Sequence, residues 1–200
     1  MRNIIFIILV FVSCSKKTEN GIRGNIKAKK LNITEKEFKS QLIKEDFFKY
    51  SEQNVDINKI DSLDIYNENT NKFAAIDAEE LAEFSFDYFV PQLVKMLSKR
   101  NITLIVEKTD NTEKMREISI NGEKIILYTE EELDNETFWN SAANNFFKKL
   151  NEILKLKKSD ERFYLVNGGN DLSTFLLTDH QVELFQRRYE SEVSEIPRNP

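Results

Sequence analysis

Apolar residues recur along this chain in three different rhythms, and each rhythm predicts a different element. Ile4 to Val12 is an unbroken apolar run. At 1.5 Å per residue it spans only about 14 Å as a helix, half of a bilayer core, so it does not read as a stable transmembrane helix. Four later stretches carry apolar residues at helical spacing. Thr34 and Glu37 form a capping-box pattern ahead of Phe38, Leu42, Ile43 and Phe47, predicting a helix to about Tyr50. Asp77 caps a second, longer helix with Glu80 at its third position. Its stripe is Ala82, Phe86, Phe89, Leu93 and Met96 or Leu97, and Pro91 predicts a kink or restart within it. A third helix starts at Asp134 or Asn135 and buries Trp139, Ala143, Phe146, Leu150 and Ile153. Thr178 and Gln181 cap a fourth, with Val182, Phe185 and Tyr189 inward.

Between the helices the rhythm changes to that of strands. Ile102 to Glu107 is rich in β-branched residues. Glu117–Ile120 and Glu123–Tyr128 flank Asn121-Gly122, a strong two-residue hairpin signal because both turn residues must accept positive φ. The turn pairs Ile118 with Ile125 and places Ile118, Ile120, Ile125 and Leu127 on one face. A second hairpin joins Arg162–Val166 to Leu172–Leu177 through Asn167-Gly168-Gly169-Asn170-Asp171. Residues 51–70 are polar, with apolar beats at Ile57, Ile60, Leu63 and Ile65, and read as an irregular connection. The expected order is ααβββαββα. It is an α+β domain with a largely antiparallel sheet of about five strands, covered on one face by helices.

Composition then narrows the function classes. The chain has a net charge of −5 and gives no electrostatic reason to seek nucleic acid. Cys14 is the only cysteine, so no intramolecular disulfide is possible. His180 is the only histidine and falls in the first turn of the last helix, where a lone His is ordinarily solvated. The common zinc patterns, the Gly-x-Ser-x-Gly turn and the Walker loop are all missing. Gly168-Gly169 runs into a strand rather than a helix N-terminus, so it reads as a hairpin loop and not a phosphate cradle. A non-enzymatic chain without cofactor or metal is expected. A hydrolase built on two separated carboxylates is the third reading, after two kinds of protein-binding role.

Arg2, the apolar run and Val12-Ser13-Cys14 together resemble the signal of bacterial lipoproteins, whose lipobox places a small residue before an acylated cysteine. Phe11 departs from the family's preferred Leu. The resemblance implies a signal peptide at 1–13, a mature chain beginning at Cys14 with lipid on its sulfur, and a lipid anchor in the bacterial cell envelope. Residues 14–33 then form a flexible basic tether carrying Lys16, Lys17, Arg23, Lys27, Lys29 and Lys30 against Glu19. As a random chain it reaches about 20–25 Å. It either lies on anionic headgroups or serves as a soluble spacer. A single domain follows at 34–192, with a tail at 193–200.

Two acidic groups stand out. Glu130, Glu131, Glu132, Asp134 and Glu136 match the dipole at the start of the third helix. Glu79, Glu83 and Asp87 are spaced i, i+4, i+8, and so stack along one face of the predicted second helix beside Tyr88. Read blandly, that face is solvated or paired with lysines elsewhere, and the nearby aromatics are core. Read functionally, Glu79, Glu83, Asp87 and Tyr88 steer and anchor a basic protein partner. Phe163 to Asp171 and Phe175 to Thr178 resemble small immunity proteins of bacterial toxin systems. That resemblance implies an inhibitor of a bacterial toxin. The alternative is a structural or accessory lipoprotein of an envelope assembly.

Overall fold

The fold is that of a computed structural model, which describes residues 32–109 and 115–200. Cys14 and the lipobox lie outside the described residues, as does nearly all of the expected tether. Ile33, assigned to the tether from sequence, is instead buried in the core. Thr34 caps α1 (Glu35–Lys44) with the expected box: its hydroxyl accepts from the Glu37 amide while Glu37 accepts from the Thr34 amide. The helix stops earlier than its apolar stripe predicts. Asp46 takes φ 55°, and its amide and that of Phe47 bond back to Ile43 and Leu42. This left-handed cap returns Phe47 to the core without extending the helix.

Residues 51–70 form the irregular connection expected, with short 3-10 turns at Ile60–Ser62 and Glu68–Thr70. The chain then enters β1 (Phe73–Ala75), which no strand signal marks. Asp77 caps α2 (Ala78–Ala82), accepting from the Glu79 and Glu80 amides. The expected long helix is broken here. Phe84 adopts φ 64°, the chain turns, and α3 (Val90–Ser98) restarts with Pro91 in its first turn, where its missing N–H is no loss. The whole predicted apolar stripe is nevertheless buried.

The first hairpin forms in the predicted register. β3 (Met115–Ile120) pairs with β4 (Glu123–Thr129), Ile118 faces Ile125, and β2 (Val106–Lys108) adds to the free side of β3. Asn121 and Gly122 take φ of 51° and 83°. The Asn121 side chain also holds the approach to β2, accepting from the Ile105 amide at 2.8 Å and donating to the Thr103 carbonyl at 3.0 Å.

A second capping box, Thr129 with Glu132, opens a short helix α4 (Glu130–Asp134), so α5 (Phe138–Leu156) begins later than predicted. The second acidic group therefore serves mainly α4. The buried stripe of α5 is Ala142, Ala143, Phe146, Phe147, Leu150 and Leu154. Trp139 was expected inside it but is 39% exposed, its ring 4.5 Å from that of Phe138. β5 (Arg162–Val166) and β6 (Ser173–Leu177) form the second hairpin, and α6 (Asp179–Arg188) follows with the Thr178–Gln181 box intact.

The α+β class holds, but the strands divide into two antiparallel three-stranded sheets, β1-β6-β5 and β2-β3-β4. The first is covered on both faces, not one. Phe163, Leu165 and Leu176 point into the cluster formed with α2, α3, α5 and the second sheet. Tyr164, Val166, Phe175 and Leu177 point into the cluster formed with α1 and α6. That two-sided burial explains why β5 and β6 are nearly continuous in apolar residues. Each large side chain so buried stabilises the fold by about 1.5–3 kcal/mol. The expected tail is docked as well. Leu165 and Arg198 exchange two backbone hydrogen bonds of 2.8 and 2.9 Å, and Pro197 is buried.

Candidate functional site

The break between α2 and α3 rearranges the predicted acidic face. Glu79 lies in α2 and Glu83 caps its C-terminal end, one turn on, so these two still share a side. Asp87 and Tyr88 fall in the turn beyond Phe84, and the i, i+4, i+8 stack does not form. What survives is an acidic corner. Glu79, Glu83, Asp87 and Tyr88 are all exposed, Tyr88 at 61%. None of the three carboxylates has an ion-pair or hydrogen-bond partner among the described residues. Phe84 lies half-buried against the core with φ in the left-handed region, where bulky residues are strained. Phe86 and Phe89 are buried on either side, and Tyr88 alone of these aromatics faces outward.

A second site carries no signal in the sequence. Three charged residues from the ends of different elements meet inside the fold. Lys72 precedes β1, and its carbonyl is fixed by the Leu176 amide of β6 at 2.8 Å. Arg100 follows α3 and donates to the Met96 carbonyl at 2.8 Å, a favourable place for a cation at a helix C-terminus. Glu161 precedes β5. Its carboxylate accepts from Lys72 Nζ at 2.5 Å, from Arg100 Nη2 at 2.8 Å and from Arg100 Nε. Their side chains are 2%, 4% and 7% exposed, so this is an internal charge cluster.

Gln181 ties the cluster to α6 and α1. Its Oε1 accepts from Lys72 Nζ at 3.0 Å, and its Nε2 donates to the Glu45 carbonyl at 2.7 Å. The Arg100 guanidinium lies 4.3 Å from the centroid of the Tyr50 ring. Asn71, also buried and at φ 53°, donates to the Tyr50 carbonyl and to Glu52, but its Oδ1 has no hydrogen-bond partner among the described residues.

Two cations on one carboxylate leave the cluster short of negative charge. Burial pushes the Lys72 ammonium down to about 8; the Glu161 carboxylate and the more distant charge of Asp160 counter this, and Arg100 adds to the lowering. Burial also raises Glu161, but the hydrogen bond from Arg100 and the charges of Lys72 and Arg100 prevail, holding it below the usual carboxylate range. A carboxylate so held is a poor proton donor, which removes Glu161 from the general-acid role that hydrolysis by paired carboxylates requires.

Two clefts of about 310 Å³ each open onto the cluster and share Tyr50, Asp160 and Glu161 as a common wall. Lys44, Lys49, Lys72 and Thr178 help line the first, together with His180, which is exposed at its rim in the first turn of α6. Arg100, Asn101 and Lys157 help line the second. Among the described residues no group of three or more His, Cys, Asp or Glu side chains is placed to hold a metal ion. No helix among them is long and apolar enough to cross a membrane. Compared with known proteins, the chain matches no family model, no curated protein and no solved structure.

Proposed function

We propose that this protein is an envelope lipoprotein, anchored through Cys14, whose folded domain binds a basic protein and inhibits it, as an immunity protein does a toxin. The observation that carries the reading is the corner between α2 and α3. From Asp77 to Tyr88 the chain carries five acids and no base. Three of those acids, Glu79, Glu83 and Asp87, lie exposed without partners among the described residues, and Tyr88, next to Asp87 in the chain, is exposed with them. Glu79 and Glu83, one turn apart on α2, repel each other at a cost of a few tenths of a kcal/mol, and a cationic partner relieves that cost. An exposed aromatic residue within an acidic segment matches the composition of a binding hot spot. The lipobox-like Val12-Ser13-Cys14 supports the address, and the hairpin–cap segment at 163–178 supports the inhibitor class.

Capture of the full-length, lipid-anchored protein from crosslinked cell envelopes tests this reading. One dominant basic protein, released by high salt, is the expected result. A set of envelope-assembly proteins retained at high salt would replace it with the accessory reading.

A further inference from the structure

Charge is sorted along the length of the molecule. α5 is 19 residues long, about 28 Å from end to end. Ahead of its first turn lie Glu130, Glu131, Asp134 and Glu136, all exposed. Its last turn and the bend after it carry Lys155, Lys157 and Lys158, also exposed. Arg162 joins them, its guanidinium donating to the Ser159 and Glu161 carbonyls at 2.7 and 2.6 Å. None of these four cations has an ion-pair partner among the described residues. α3 repeats the polarity. Phe89 at its start meets Phe146 of α5 at 5.9 Å, and Arg100 to Ile102, after its end, line one cleft with Lys157 and Ser159. The two helices therefore run the same way and end together. Lys95 and Lys99, near the end of α3, share a single acid, Glu52, at 3.4 and 3.0 Å. Asp160 is exposed at this end too, Glu161 is committed to Lys72 and Arg100, and Glu152, one turn before Leu156, is paired with Lys149 at 3.4 Å. Cations thus predominate here, in a chain whose net charge is −5.

Attraction to the helix dipole accounts for cations at a helix C-terminus, but not for Leu156. Leu156 stands among the three lysines, 77% exposed. At a bilayer surface the pairing has a use: the lysines meet lipid phosphates while the leucine enters between the headgroups. We propose that this basic end rests on anionic lipid, with Leu156 inserted, as a second contact beside the anchor. This rests on the membrane address through Cys14 given above, which holds the domain within a tether's length of a bilayer. Docked so, the domain turns the acidic end of α5 away from the membrane, towards a partner arriving from solution. A soluble polyanion would match the charges but gives Leu156 no role.

Vesicle flotation tests this with residues Leu31–Pro200, one compact unit that holds both apolar clusters and leaves out the lipid and the tether's basic residues. The expected result is binding to vesicles of mixed phosphatidylglycerol and phosphatidylcholine, weakened by salt, with none to phosphatidylcholine alone. Lys155→Glu with Lys157→Glu and Lys158→Glu should weaken that binding at least about tenfold, and Leu156→Asn about fivefold. Trp139, the only tryptophan, lies about 25 Å from Leu156 along α5, so brominated lipid should leave its fluorescence unquenched. Leu156→Trp in a Trp139→Phe background should be quenched. No preference for the anionic vesicles, undiminished binding by the lysine variant, or quenching of Trp139 overturns the proposal. So does binding that Leu156→Asn leaves unchanged, which assigns the patch to a soluble polyanion. Each of these results leaves the Cys14 address standing, because palmitate labelling tests that separately.

Discussion

Glu161 is the sole carboxylate holding two buried cations, and that arrangement makes the residue-scale predictions sharp. Glu161→Gln keeps the shape but strands the charges of Lys72 and Arg100, and should destabilise the domain by about 3–5 kcal/mol in urea denaturation. A loss below about 1 kcal/mol would mean that water reaches the cluster. Lys72 makes a separate prediction in pH. Its ammonium titrates at about 8 in the folded chain, against an ordinary value of 10.5. Between those values the unfolded chain binds more protons than the folded one, so stability should rise with pH across that window. Lys72→Met should remove this alkaline rise while leaving Glu161 paired with Arg100. A wild-type stability that falls from pH 8 to 10 by the same amount as the variant's would contradict the account.

Hairpins and caps were legible from sequence because their chemistry is local. The boxes at Thr34 and Thr178, the Asn121-Gly122 turn and the Ile118–Ile125 pairing follow from residues at most seven apart. Breaks were less legible. Pro91 signalled an interruption, but the turn itself is set at Phe84, a residue with no preference for positive φ, held there by packing of the chain around it. β1 was invisible because Phe-Ala-Ala has little strand propensity and exists through its pairing with β6. The charge cluster was invisible for the same reason at longer range: Lys72, Arg100 and Glu161 are brought together only by the fold. Asn121 yields a prediction at this scale. Asn121→Gly keeps the turn but loses the side-chain bonds to Ile105 and Thr103, costing about 1 kcal/mol. Asn121→Ala loses the same bonds and adds strain at positive φ, costing about 2 kcal/mol or more. Equal effects of the two substitutions would show that the turn conformation is not strained by a Cβ.

For the molecule as a whole, the central sheet β1-β6-β5 sandwiched between two apolar clusters gives a frame on which both surface features sit. The acidic corner needs little from that frame. Charge reversal there, Glu79→Lys with Glu83→Lys and Asp87→Lys, should therefore leave thermal stability nearly unchanged, since exposed sites without partners rarely shift it by more than about 0.5 kcal/mol. The proposed membrane address is separable too. Cys14→Ser should move the protein from the membrane fraction to the soluble fraction and abolish palmitate labelling, and unchanged membrane retention would contradict lipid anchoring at that residue.

The most direct test of the proposed function is a side-by-side crosslinked capture with wild-type protein and the triple charge-reversal variant, each full length and anchored, at low and high salt. The account predicts that wild type captures a dominant basic protein, that high salt releases it, and that the variant fails to capture it while remaining folded. Equal capture by both proteins with the same salt dependence would contradict the assignment of Glu79, Glu83 and Asp87 as the contact.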